Sequence, residues 1–145
     1  MPMPEFAMRV LRGPVGASLI LMASLCATPA IVGAQEAGAP AQKYPDVVTV
    51  KVRSSGAERF DIDVTVSSPY DTPRRYADAF RVSAKDGTVL GERRLLHDHA
   101  DEQPFTRELY GVTVPRGVRV IVVQARDSAF GYGGRTVEVV LPGRN

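Results

Sequence analysis

Both histidines of this chain, His97 and His99, stand in the stretch "LLHDHADEQPFTR" from Leu95 to Arg107, with Asp98, Asp101 and Glu102 beside them. Residues two apart on an extended segment project from the same face, so the two imidazoles can reach one ion. Asp101 continues that face, and a His-x-His pair with a carboxylate suits a divalent transition metal such as zinc, copper(II), nickel or iron. A closed zinc site asks for four ligands and a catalytic one for three plus water, so His97, His99 and Asp101 form the smallest set that qualifies. The preferred expectation is plainer: a polar connection between two strands. There the carboxylates cap backbone N–H groups, Pro104 sets the start of the next strand, and the histidines hydrogen-bond locally.

Three further residues have side chains suited to binding. Asp78 alternates with Tyr76, Phe80 and Val82, which puts a carboxylate on the face of a core aromatic. Buried, it needs a partner such as Arg107, Arg126 or a histidine. The favoured expectation places Asp78 at a sheet edge, accepting from the N–H groups of the preceding loop. Phe130 and Tyr132 lie among glycines in "DSAFGYGG". They form either an exposed aromatic lip able to stack on a sugar or peptide, or a hairpin whose Tyr132 folds back on the core. The second is preferred. A strand follows these glycines, so no helix amino terminus is there to hold a phosphate.

The elements that position these residues are strands, because apolar residues recur with period two. "VVTVKVR" sets Val48, Val50 and Val52 against Thr49, Lys51 and Arg53, and "FDIDVTV" sets Phe60, Ile62, Val64 and Val66 inward. "AFRVS" and "VLGERRLL" flank "AKDGT", an Asp-Gly hairpin signal. "FTRELYGVTV" carries Gly111 as a candidate bulge, "GVRVIVVQARD" is the most apolar run, and "RTVEVVLPG" closes with Val137, Val139 and Leu141 inward. About seven strands and no helical periodicity predict an all-β fold over 46–145, an antiparallel sandwich of immunoglobulin-like or fibronectin type III-like kind. A small barrel or jelly roll is the competitor.

Residues 1–34 read as a signal peptide. Arg9 and Arg12 precede the run "VGASLILMASLCATPAIVGA", and Val32 and Ala34 suit cleavage before Gln35. Met8 is an alternative start. Pro14, Gly16, Pro29 and Gly33 break the run, so no membrane span is expected after cleavage. Residues 35–45 read as a flexible leader. The single cysteine, Cys26, and the methionines Met1, Met3, Met8 and Met22 all fall in the signal. Thiolate and thioether metal sites are thereby excluded from the mature chain. Leu25 before Cys26 disfavours lipidation.

The chain has 18 basic and 16 acidic residues, and without Arg9, Arg12 and Glu5 these become 16 and 15. That balance predicts no nucleic-acid footprint. No G-x-S-x-G, H-E-x-x-H or Walker-type pattern occurs, so no catalytic residue is assigned.

Across "YADAFRVSAKDGTVLGERRLLHDHADEQPFTRELYGVTVP" and "VQARDSAFGYGG" the chain resembles a family of small secreted bacterial proteins. The blocks "DGTVLG", "HDHADEQPFTR" and "GYGG" carry the resemblance, which implies export and no particular activity. The chain departs from that pattern in "SPYDTPRRYADAF", where Pro73 to Arg75 stand in place of an aromatic and a histidine. The expectation is an exported, non-catalytic binding or structural module, periplasmic or secreted, whose partner is a protein or an envelope component. A metal-binding protein using His97 and His99 is the alternative.

Overall fold

Alternation is realised almost everywhere that it was legible. The computed structural model describes residues 41–144. The expected signal peptide, Cys26 and residues 35–40 of the leader lie outside the described residues. The strands are β1 (Asp46–Ser54), β2 (Arg59–Ser67), β3 (Ala77–Ala84), β4 (Val89–Arg94), β5 (Phe105–Thr113), β6 (Val120–Asp127), β7 (Gly131–Tyr132) and β8 (Val137–Val140), with no helix among the described residues. They form an antiparallel β-sandwich. One sheet has the order β1-β2-β5; the other has the order β4-β3-β6, with β7 and β8 both paired along the far edge of β6.

The two sheets close on a single core. Phe60, Ile62, Val64 and Val66 of β2 meet Phe80 and Val82 of β3 and Ile121, Val123 and Ala125 of β6, all buried. Each large side chain removed from water contributes about 1.5–3 kcal/mol. That driving force fixes the register, because a one-residue slip would turn the whole apolar set outward.

Irregularities shift some expected positions. In β1 the ladder breaks between Val47 and Thr49, so Val47 is fully buried and Val48 is 37% exposed, the reverse of the expected facing. A bulge changes which residue of a pair points inward. Gly111 does mark a bulge: its φ is 63°, and its N–H donates to Asp61 Oδ1. The strand expected to run through Leu96 ends at Arg94, with Leu95 buried and Leu96 exposed.

The final strand, expected over "RTVEVVLPG", is confined to Val137–Val140, and the two-residue β7 precedes it. Between β7 and β8 the chain is pinned to the start of β1: Val47 N–H donates to Arg135 O, and Arg135 N–H donates to Asp46 Oδ1. This close approach requires glycine. A Cβ on Gly133 would enter the Tyr44 ring, and one on Gly134, whose φ is 74°, would meet the Pro45 carbonyl. Contacts with the domain begin before β1, since Pro45 is buried and Gln42 Nε2 donates to Ser67 O at 2.8 Å.

Antiparallel pairing brings the β2–β3, β4–β5 and β6–β7 connections and the start of β1 to one end of the sandwich. Five of the six candidate residues, all except Tyr132 of β7, lie in these connections or at the strand end beside them.

Candidate functional site at the loop end

Two buried carboxylates build this end. Asp71, in the β2–β3 connection, accepts from Ala77 N–H and from His99 N–H, both at 3.0 Å, and so joins that connection to β4–β5. Gln103 completes the joint by accepting from Ser68 N–H at 2.7 Å and donating to His99 O at 3.0 Å. Asp127, fully buried at the end of β6, accepts from Ala129 and Phe130 N–H at 2.9 Å and from Arg75 Nε at 3.1 Å. Burial alone would raise its pKa. The Tyr70 hydroxyl beside it, the two N–H groups and Arg75 outweigh burial and hold it below the usual value.

His99 is an aromatic core residue more than a local hydrogen bonder. The residue is 3% exposed, and its ring stacks on Phe105 with centroids 4.0 Å apart. Buried Nδ1 has no hydrogen-bond partner. Burial, then the positive charge of Arg107, lowers its pKa. The exposed His97 ring lies 4.7 Å from it, and its Nδ1 is 2.8 Å from Asp98 O. The two imidazoles are neighbours, one exposed and one buried, and Asp101 is not grouped with them. Among the described residues no group of three His, Cys, Asp or Glu side chains is placed to hold a metal ion. Asp98 does cap, accepting from Ala100 N–H at 3.3 Å.

The fold gathers around the imidazoles the arginines that flank them in sequence, Arg93 and Arg94 before and Arg107 after. A cleft of about 180 Å³ is lined by Arg93, Arg94, Leu95, Leu96, His97, His99 and Arg107. Arg107 Nη2 binds Glu102 Oε2 at 2.9 Å, so that carboxylate is engaged with an arginine and not with the histidines.

Asp78 departs from its favoured expectation and matches the other, a buried carboxylate with Arg126 as its partner. β3 lies between β4 and β6, so Asp78 is no edge residue; it is 7% exposed and pairs with Arg126 Nη2 at 3.2 Å. The register breaks between Ala77 and Ala79 and leaves Asp78 as the extra residue of a bulge. The turn acceptor expected of it is Asp71, which takes the Ala77 N–H.

Phe130 and Tyr132 part company. Phe130 is 51% exposed and carries the Arg75 guanidinium and Lys43 Nζ over its ring at 4.7 and 4.8 Å, with Tyr44 edge-on at 6.3 Å. Tyr132 instead lies across the outer face of its sheet under Arg81, with 3.9 Å from ring to guanidinium, and donates to Glu92 of β4. Burial and the Glu92 carboxylate push its pKa up to about 12.

Asp71, Arg75 and Asp127 were not singled out in the sequence, although Asp127 had a readable signal. An aspartate ending an apolar run, with a small-residue turn after it, accepts from N–H groups two and three residues on.

No family model and no solved structure matches the chain. A protein of Halomicrobium mukohataei described as "Putative lipoprotein" is 37% identical over 94 residues, which cover 65% of this chain and 46% of that protein. The chain thus spans less than half the length of this curated relative.

Proposed function

We propose that the chain is an exported, envelope-associated binding or structural module, a sandwich of immunoglobulin-like kind that presents its loop end to a protein or an envelope component. The observation that carries the reading is the construction of that end. Asp71, Asp127 and Gln103 satisfy the loop backbones from inside, so three connections are held in one shape while Leu96, 84% exposed, and Phe130 remain at the surface. Rigid loops on a sandwich bind with little ordering cost. The return of the chain from β4 to β5, beside β2 in the opposite sheet, supports the immunoglobulin-like kind. The relative's description supports the envelope location.

Fractionation of cells expressing the full chain tests this reading. Intact mass analysis of the exported fraction is expected to give an amino terminus near Gln35 without lipid. The relative's description favours a second form, in which an acyl group on Cys26 anchors the same domain. Unprocessed protein confined to the cytoplasm would overturn both.

A further inference from the structure

We propose that the cleft between the end of β4 and the start of β5 is an oxyanion site that takes a phosphate group of a small ester or a lipid headgroup. Its lining is cationic: Arg93, Arg94 and Arg107 stand around His97 and His99, with Leu95 and Leu96 supplying the apolar part. Two of these guanidinium groups are held in place by the protein. Arg93 Nη1 donates to Glu108 O, and Arg107 is shared between Glu102 Oε2 and Thr106 O. Arg94 is exposed and has no hydrogen bond or ion pair among the described residues, so its forked donors are available. Guanidinium groups bind phosphate through parallel charge-assisted hydrogen bonds, which a cation cannot use. The volume, about 180 Å³, admits a headgroup and not a drug-sized molecule, for which about 300 Å³ is the usual minimum.

His99 gives a second, independent pointer. It is nine-tenths buried, lines the cleft and keeps Nδ1 without a partner. The charged groups acting on it are Arg107 and His97, which disfavour its protonation, and Glu102 and Asp71, which favour it. An anion in the cleft adds to the second set and makes the imidazolium easier to form. Leu96 at the rim, 84% exposed, offers apolar surface to whatever carries the phosphate.

The proposal deepens the envelope reading by naming the chemistry of the partner, and the two fail separately: fractionation tests export, whereas anion binding is measured on purified protein. Inorganic phosphate is titrated into the chain while histidine ring and arginine side-chain signals are followed by nuclear magnetic resonance. Saturable shifts at His99 and Arg94 are expected, together with a higher titration midpoint for His99. Arg94→Ala should weaken binding about fivefold or more, the scale of one charge-assisted hydrogen bond at an exposed site. Arg119→Ala, in the separate arginine cluster with Arg116 and Arg144 at the other end, should leave it unchanged. A second arm uses phosphatidylglycerol vesicles against phosphatidylcholine vesicles. Arg94-dependent binding to the former identifies a lipid headgroup as the source, and phosphate binding without it identifies a soluble ester. Absence of both phosphate and vesicle binding, or equal losses in Arg94→Ala and Arg119→Ala, would overturn the proposal.

Discussion

His99→Ala removes a buried ring stacked at 4.0 Å on Phe105 and is expected to cost about 2 kcal/mol in chemical denaturation. His97→Ala, at an exposed position, should cost less than about 0.5 kcal/mol. The histidines thus differ in what they do although they stand two residues apart. Because burial and Arg107 hold the folded-state pKa of His99 below its ordinary 6.5, the unfolded chain takes up this proton first as pH falls. The stability that neutral His99 contributes is complete above about pH 6.5 and is lost as pH drops through the lowered folded value. Denaturation midpoints between pH 7 and 5 should therefore fall, and fall less in His99→Gln. Equal slopes in the two proteins would reject this account. Zinc should produce no melting shift that depends on both histidines, since three arginines share their cleft. A saturable one-to-one stabilisation lost on replacing His97 would restore the metal reading.

At the scale of elements, bulges and loop anchors decide what alternation leaves open. Val64→Asp buries an unpaired charge in β2 and is expected to cost roughly 3 kcal/mol or more. Thr65→Asp, on the other face, loses a hydroxyl contact of 2.8 Å to Thr106 and should cost under about 1 kcal/mol. Gly134→Ala should destabilise by about 2 kcal/mol, because it combines a φ of 74° with collision against Pro45. Asp127→Ala leaves the Ala129 and Phe130 N–H groups and Arg75 without their acceptor, for an expected loss of about 2–3 kcal/mol. Thermal unfolding of these variants checks the order: a Gly134→Ala protein as stable as the parent would mean that the close approach of this segment to Pro45 is without energetic weight.

For the whole molecule, the pinning of residues 42–45 makes the start of the domain measurable. A chain beginning at Asp46 loses the Gln42 bond to Ser67, the Lys43 carbonyl that accepts from Arg75, and buried Pro45. It should melt at a lower temperature than one beginning at Ala41, and identical melting would show those contacts to be without energetic weight. The all-β class, the two early hairpins, the inward set Phe60, Ile62, Val64 and Val66 and the Gly111 bulge were all legible in the sequence. Each depends on period-two alternation or on turn chemistry within a few residues, which are local properties of the chain. The bulges that decide between the two readings of Asp78 and invert Val47 and Val48 were not, because a bulge is defined by the partner strand opposite it. The candidate site was legible in part. Along the chain His97 and His99 stand between Arg93 and Arg94 on one side and Asp101, Glu102 and Arg107 on the other, so the sequence shows charges of both signs and not which of them face the imidazoles. In space Glu102 is tied to Arg107, and Arg93, Arg94 and Arg107 line the cleft with the imidazoles, because Coulomb interaction depends on distance in space and not along the sequence.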